Sequence, residues 1–254
     1  MKFDQKIALV TGGSRGLGKN IALRLAGYGA DSIITYHSRK EEADSVVSEI
    51  KAHDRRAVAL QLDVGDFKTF DGFISRVSNT LKDTWGRDKF DYLINNAGIG
   101  GRATIEQTTE EVFDRLFNVH FKGVYFLTQK AIPLMNDNGR IVNISSGLSR
   151  FTLPGYSAYA SMKGAIETFT RYIAKELGAR GITANLVAPG AIETDFTKPA
   201  FDANPQVKEM IASQTALGRV GVPDDIGGVI AFLCSEDARW LNGQRLEASG
   251  GIFL

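Results

Sequence analysis

The chain has few of the residues that mark disulfide-bonded or metal-binding proteins. It contains a single cysteine, Cys234, so no intrachain disulfide can form, and a reducing compartment is expected. Cys234 lies in the apolar run VIAFLC, which predicts a buried and unreactive thiol. The three histidines are scattered, and no CxxC or HExxH spacing occurs, so no metal site is predicted.

Net charge and long apolar runs are also lacking. The 254 residues carry a formal net charge of +1, which gives no electrostatic basis for binding nucleic acid or an anionic membrane. The first apolar run has about four residues, too few for a signal-peptide core, and no later run approaches a membrane span. We therefore expect a cytoplasmic protein with neither nucleic acid nor a membrane as its partner.

The chain does have a regular alternation of strand and helix patterns. Short apolar runs predict strands at residues 7–10, 32–35, 57–62, 90–94, 141–144, 182–188 and 243–248. Helical patterns separate them, without a linker, a repeat or a low-complexity segment. The alternation predicts one α/β domain over residues 1–254, a doubly wound parallel sheet of Rossmann type with about seven strands and helices on both faces.

A glycine loop, TGGSRGLG, follows the first strand and opens a helix. Its glycines, Gly12, Gly16 and Gly18, have the spacing GxxxGxG. A strand, a glycine loop and a helix in this order direct backbone N–H groups and a positive helix dipole at a phosphate. We interpret the loop as a dinucleotide site; the alternative is a glycine-rich turn that binds nothing.

The second strand ends without the carboxylate that binds the ribose 2′-hydroxyl in NAD sites. The segment Tyr36-His37-Ser38-Arg39 stands there instead, and Arg15 in the glycine loop adds a second cation. This pattern favours NADP, and the alternative is a solvated basic loop. Asp63, at the end of the third strand, either binds an adenine amino group or caps the next helix.

The stretch RIVNISSGLSRFTLPGYSAYASMKG carries the predicted chemistry. A strand ends at Ser146, and a helix then places Tyr159 and Lys163 one turn apart on one face. A nearby ammonium would lower the pKa of a phenol from about 10 and make it a usable acid or base. Tyr-x-x-x-Lys alone is weak, since residues 36–40 repeat it; the alternative is a surface tyrosine beside a solvated lysine.

Two further segments carry polar or irregular features. Residues 108–111 form a predicted capping box that opens a helix running past Asn118. Asparagine is a mediocre helix former, so Asn118 hints at a role, whereas His120 is interpreted as an ordinary polar helix residue. Residues 191–215 lack firm periodicity and are predicted to form a mobile lid over a site.

Together and in this order, TGGSRGLG, NNAG, Asn118, NISS, YSAYASMKG and the Pro-Gly pair after the sixth strand resemble the short-chain dehydrogenase/reductase family over nearly the whole chain. The resemblance implies that Ser146 and Tyr159 polarise a carbonyl and that Tyr159 gives the proton. Ser145 is a less favoured alternative to Ser146. Lys163 would bind ribose and tune Tyr159, and Asn118 would anchor a water relay.

The resemblance also implies a cofactor site and a substrate pocket. The cofactor residues would be Gly12, Ser14, Arg15, Gly16, Leu17, Gly18, Tyr36, His37, Ser38, Arg39, Asp63, Val64, Asn95, Ala97, Gly98, Tyr159, Lys163, Pro189, Gly190, Ile192 and Thr194. The substrate would meet Ser146 and an apolar wall formed by Leu148, Phe151, Leu153, Tyr156, Phe196 and Phe201.

Several functions fit these residues. The first hypothesis is an NADPH-dependent carbonyl reductase acting on a small or medium ketone. The second is a 3-oxoacyl-[acyl-carrier-protein] reductase, although residues 135–138 lack the basic residues that such enzymes tend to carry there, which leaves Arg180 as one contact. A sugar or polyol dehydrogenase and a cofactor-binding regulator without catalysis are further alternatives. The resemblance implies a homotetramer that packs through the helices near Asn118 and Tyr159.

Overall fold

The computed structural model describes residues 2–254. Its sheet has seven parallel strands in the order β3-β2-β1-β4-β5-β6-β7, which confirms the predicted fold class. The strands are β1 (Ile7–Val10), β2 (Asp31–Tyr36), β3 (Ala57–Gln61), β4 (Phe90–Asn95), β5 (Met135–Ile144), β6 (Thr183–Pro189) and β7 (Arg245–Ala248).

Helices cover both faces of the sheet. They are α1 (Gly16–Gly27), α2 (Lys40–Lys51), α3 (Phe70–Trp85), α4 (Glu110–Phe117), α5 (Gly123–Ala131), α6 (Ser157–Glu176), α7 (Lys198–Ala203), α8 (Pro205–Ser213) and α9 (Asp224–Cys234). Because both faces are covered, β1 and β4 are buried along their whole length, as uninterrupted apolar runs predict. The thiol of Cys234 is buried in this core, and desolvation raises its pKa to about 12, which confirms an unreactive cysteine.

The strand order reverses direction at β1, which lies between β2 and β4. The loops that follow β1 and β4 therefore leave the sheet side by side at its carboxyl edge. In doubly wound sheets this is where ligands bind. The fold thus brings the glycine loop and the NNAG segment to one crevice.

Local structure departs from the sequence expectations in three places. Thr109, rather than Thr108, caps α4, because its hydroxyl accepts a hydrogen bond from the Val112 N–H while Thr108 donates to the Thr104 carbonyl. A π-turn, Asn118–Lys122, interrupts the predicted long helix. The segment expected to lack regular structure contains the short helices α7 and α8. Within residues 2–254, no helix has the length and apolar character needed to cross a membrane.

Candidate active site

Hydrogen bonds join the loops after β1 and β4. The Thr11 hydroxyl accepts from the backbone N–H groups of Asn96 and Ala97, each at 3.0 Å. The Asn96 side-chain amide donates to the carbonyl oxygens of Thr11 at 2.9 Å and Gly12 at 3.2 Å. These bonds fix the glycine loop against the end of β4. Asn96 is not among the residues selected from sequence, although the doubled asparagine of NNAG was the available signal.

The glycine loop has the geometry of a phosphate cradle. Gly12 and Gly16 have φ values of +65° and +55°, which favour glycine. Gly18 is required for a different reason, since a Cβ atom there would lie 2.1 Å from the Gly12 carbonyl oxygen. Because α1 begins at Gly16, its first N–H groups face the crevice. This arrangement fits the pyrophosphate of a dinucleotide.

Basic residues lie on the rim of the same crevice. Arg15 is exposed, and its guanidinium lies 3.3 Å from the Asp195 carboxylate at the base of the lid. Arg39 pairs with Glu42 at 2.6 Å. Such exposed pairs are worth little and exchange readily, so both cations are available to an anion. At the end of β2 itself, Tyr36 is half-buried and residues 37–39 are exposed.

Asp63 does not cap a helix. Its carboxylate accepts a hydrogen bond from the Gly65 N–H at 2.8 Å, and its second oxygen lies 3.6 Å from the His37 imidazole. Asp66 caps the following 3₁₀ turn instead. The Val64 carbonyl presses against α5, where a Cβ atom on Gly123 would lie 2.0 Å from it. The alternative in which Asp63 caps the next helix is therefore wrong. The other alternative, a hydrogen bond from an adenine amino group to Asp63, remains a prediction.

The Asn95 side chain joins the central strands to the helices. Its side chain is buried and donates to Thr128 at 3.0 Å and to Asn143 at 2.8 Å. Asn143 in turn donates to Thr170 of α6 at 2.9 Å. This buried network pins β4, β5 and two helices together. The amide of Asn95 points into the core, and the expectation that Asn95 faces the cofactor remains a prediction.

The structure brings Ser146, Tyr159 and Lys163 together. The Ser146 side chain lies near enough to the Tyr159 hydroxyl to lower the pKa of that phenol, and it accepts a hydrogen bond from the Leu148 N–H at 3.2 Å. Lys163 is buried, and its ammonium donates to the Ile144 carbonyl at 2.8 Å while lying 5.6 Å from the centre of the Tyr159 ring. Ser145 is turned away, toward Glu167, so Ser146 is the serine that meets the phenol.

The phenol is protonated in this environment. Burial raises the pKa of Tyr159 to about 12, although the neighbouring Ser146 hydroxyl acts in the opposite direction. Burial also lowers the pKa of Lys163 to about 8. The expectation that Lys163 lowers the pKa of Tyr159 is therefore not met. The cost of desolvating a phenolate raises this pKa, and the Lys163 amine, which is hydrogen-bonded to Ile144, does not offset it. A neutral phenol suits a proton donor.

Asn118 begins the π-turn. The Gly123 N–H bonds the Asn118 carbonyl five residues earlier, and the Asn118 side chain is half-buried. Turns of this kind are frequently found at functional sites. The poor helix former therefore coincides with an interruption of the helix, and the water relay at Asn118 remains a prediction.

His120, two residues further, is not an ordinary polar helix residue. Its side chain is 1% exposed, and its ring meets the Tyr159 ring edge-to-face with centroids 5.0 Å apart. Its Nε2 atom lies 2.8 Å from the Ile99 carbonyl oxygen. Burial, reinforced by the positive charge of Lys163, lowers its pKa to about 3. The interpretation from sequence is wrong because a single sequence does not show which face of a helix is covered.

The first residues after β6 lie against the glycine loop. The Gly190 N–H bonds the Ala248 carbonyl at 3.1 Å, which fixes the turn that follows the buried Pro189. Ile192 is buried, and a Cβ atom on Gly16 would lie 3.6 Å from the Thr194 side chain. The start of the segment predicted to form a lid therefore lies across the crevice from the glycine loop, and its role as a lid remains a prediction.

The residues predicted for the substrate pocket divide into two groups. Phe196 is 49% exposed, and its ring centroid lies 6.3 Å from that of Tyr159. Phe201 instead joins a small core with Ile211, and the half-buried Phe151 packs against that core, so their place in the pocket wall remains a prediction. The remaining predicted residues, Leu148, Leu153 and Tyr156, are half-buried in the loop between β5 and α6 and its junction with that helix.

No metal cluster accompanies these groups. Across residues 2–254, no three His, Cys, Asp or Glu side chains lie together in a way that could hold a metal ion.

Comparison with known proteins gives similarity over the whole chain. A family model described as enoyl-(acyl carrier protein) reductase matches residues 12–252. An uncharacterized oxidoreductase of Methylorubrum extorquens is 40% identical over 251 residues, covering 99% of both chains. A short-chain dehydrogenase/reductase of Pestalotiopsis microspora is 35% identical over 266 residues, covering 98% of this chain and 96% of the other.

A solved structure matches equally well. The angucycline C-6 ketoreductase LanV with bound NADP is 37% identical and has a TM-score of 0.94, covering 99% of this chain and 97% of the other. The similarity therefore extends to the arrangement of the strands and helices that form the crevice.

Proposed function

This chain belongs to the short-chain dehydrogenase/reductase family, and we propose that it reduces a ketone to a secondary alcohol with NADPH, with Tyr159 as the proton donor. The observation that carries the proposal is the placement of Ser146 and the buried Lys163 beside Tyr159, in a crevice that faces the glycine loop. Two hydroxyl groups at one point are what a developing alkoxide requires.

The fit of NADP rests on residues of this chain. The cradle formed by Gly12, Gly16 and Gly18 would hold the pyrophosphate, and Arg15 and Arg39 would face the 2′-phosphate. When bound, the nicotinamide supplies the hydride. The end of β2 offers no carboxylate to a ribose 2′-hydroxyl, and LanV carries NADP. Both facts support NADP over NAD.

The protein's own contribution is orientation and proton transfer. Ser146 and Tyr159 donate hydrogen bonds to the substrate oxygen, and the Tyr159 proton passes to that oxygen as its charge develops. The phenolate left behind lies beside the ammonium of Lys163, which stabilises it. Asn118, in the π-turn, would anchor the water through which Tyr159 regains its proton.

The substrate that fits best is a free ketone with an aromatic portion. Phe196 presents an exposed ring next to Tyr159, which suits stacking against a flat substrate. A carrier-linked substrate is less favoured, because Arg180 is occupied by Asp137 and two backbone carbonyls. Arg140 is buried and bound to Glu236. Neither guanidinium is presented to an acidic carrier.

Exposed aromatic residues support self-association. Tyr125 stacks on Phe169 with centroids 4.5 Å apart, on a surface shared by α5 and α6, and Tyr172 is 64% exposed nearby along α6. An aromatic surface of this kind is a candidate contact between copies of the chain. We therefore retain the homotetramer as a proposal, to be checked by light scattering after size-exclusion chromatography.

The function is tested by a substrate panel. NADPH and NADH oxidation would be followed by absorbance with bicyclic aromatic ketones, aliphatic ketones, an enoyl thioester, a carrier-linked 3-oxoacyl thioester and sugars. We expect the highest kcat/KM for NADPH with aromatic ketones. Reduction of the enoyl thioester alone, or of the carrier-linked substrate a hundredfold better than free ketones, would contradict the proposal. Binding of NADPH without any oxidation would favour a regulator.

A further inference from the structure

His120 connects three parts of the active site. It belongs to the π-turn after α4, it contacts Ile99 in the loop after β4, and its ring meets the Tyr159 ring of α6 edge-to-face at 5.0 Å. Since its side chain is 1% exposed, these contacts are made inside the protein. Any role of His120 in turnover rests on the proposed ketone reduction, in which Tyr159 is the proton donor.

The position of the ring proton can be assigned from the contacts. The depressed pKa keeps the imidazole neutral at ordinary assay pH, so it carries one N–H group. Nε2 lies 2.8 Å from the Ile99 carbonyl oxygen and 3.3 Å from the Ile99 amide nitrogen. We assign the proton to Nε2 because the shorter contact requires a donor. His120 therefore donates a buried hydrogen bond to the loop.

Stability alone does not account for a histidine here. Its Nδ1 atom is buried without a hydrogen-bond partner among the described residues, and such an atom costs about 1–3 kcal/mol. An apolar side chain of similar size would avoid that cost. The ring also packs closely against Gly98, where a Cβ atom would lie 2.9 Å from His120 Cε1. The loop that contains Gly98 is thus fitted to the imidazole.

We propose that His120 is a positioning residue for Tyr159: its Nε2–H bond to Ile99 fixes the loop of residues 97–101, and its ring edge fixes the plane of the phenol. The loop and the phenol form adjoining walls of the crevice, so one side chain sets the distance between them. Since a displacement of about 1 Å can cost about a hundredfold in rate, loss of this bond lowers turnover without removing any group that touches the substrate.

Two polar variants distinguish loss of the hydrogen bond to Ile99 from loss of side-chain volume. Glutamine can place its amide nitrogen where Nε2 lies, whereas asparagine is too short to reach Ile99. The pair is therefore His120→Gln and His120→Asn, with Gln129→Asn on the exposed side of α5 as the control for shortening a polar side chain. Active sites are counted by NADPH binding, so that unfolded protein does not enter kcat.

We expect His120→Asn to lower kcat per active site about tenfold or more and His120→Gln to stay within about threefold of wild type. In the chain without cofactor, hydrogen exchange of the peptide that spans residues 96–103 should be faster in His120→Asn only. Wild-type kcat and exchange in His120→Asn would overturn the proposal, and so would equal losses in both variants. If the wild type reduces no ketone, the proposed function is overturned. The comparison of hydrogen exchange then still tests whether His120 holds the loop of residues 97–101.

Discussion

The ammonium of Lys163 donates a hydrogen bond to the carbonyl oxygen of Ile144, the last residue of β5, at 2.8 Å. The strand end therefore holds the amine beside the Tyr159 ring at 5.6 Å, and no bond between the amine and the phenol is needed. This explains how a buried lysine can coexist with a phenol whose pKa is raised rather than lowered. The neutral phenol is the form that the proposed proton transfer requires.

Removing the phenol hydroxyl should stop turnover. In Tyr159→Phe the ring contacts with His120 and Phe196 remain, so the fold and the phosphate cradle should be preserved. We expect kcat for ketone reduction to fall roughly 10²–10⁴-fold, because positioned proton transfer contributes about that much. NADPH binding, measured by fluorescence, should stay within about threefold of wild type. Retained reduction by this variant would remove Tyr159 from its role.

Cofactor choice should depend on the rim cations. We expect Arg15→Ala and Arg39→Ala each to raise the KM for NADPH about tenfold or more, since a charge-assisted bond is worth about 1.5–3 kcal/mol. The KM for NADH, which lacks the 2′-phosphate, should not change. Lys51→Ala, at the far end of α2, is the matched loss of a surface cation. An equal rise in the KM for NADPH and for NADH would show that these arginines do not bind the 2′-phosphate.

Two glycines of α1 should respond oppositely to alanine. In Gly18→Ala the new methyl group would lie 2.1 Å from the Gly12 carbonyl oxygen and 2.6 Å from the Asn96 amide nitrogen. We expect a loss of about 1–3 kcal/mol in the free energy of unfolding and loss of NADPH binding. Gly27→Ala has open space and should be neutral or stabilising by up to about 1 kcal/mol. Chemical denaturation of both variants checks this; equal stabilities would contradict the packing.

Acid sensitivity should reside in part in Glu247. Hydrogen bonds from Arg150, and then from Arg245 and Ser249, lower the pKa of its carboxyl from its ordinary value of 4.5 to about 2. A lowered pKa stabilises the folded state above the ordinary value, and that stability is lost as pH falls from about 4.5 toward 2.

Glu247→Gln should therefore lower the free energy of unfolding at pH 7 by roughly 1–3 kcal/mol and flatten its dependence on pH below 5. Asp71→Asn, which breaks an ion pair with an exposed carboxylate, should cost less than about 1 kcal/mol. Thermal melts between pH 3 and pH 7 provide the comparison. If the stability of Glu247→Gln still falls steeply below pH 5, the acid sensitivity belongs to another group.

Local patterns were sufficient to predict most strands and helices and to select the candidate reacting groups. The glycine loop, the strand that ends at Ser146 and the one-turn spacing of Tyr159 and Lys163 are all written within a few residues of sequence. The shift of the cap from Thr108 to Thr109 shows the limit of such patterns, since two adjacent threonines satisfy the same rule and only the chain's entry angle selects between them.

The contacts that could not be predicted from sequence join side chains whose partners are distant along the chain. Asn95 points to Thr128 and Asn143, Phe151 packs with Phe253, and His120 bonds Ile99. Each of these contacts spans from about twenty to a hundred residues. Hydrophobic periodicity predicts that one face of a helix is buried, but it does not predict which residues pack against that face.

The order of amino acids was enough to specify the sheet, the phosphate cradle and the pairing of a phenol with an amine, because these depend on spacing along one strand or one helix. Folding in three dimensions sets the protonation state of that phenol, the hidden histidine beside it and which aromatic rings face the crevice. Those properties come from desolvation and from contacts between segments, and both exist only after the chain has folded.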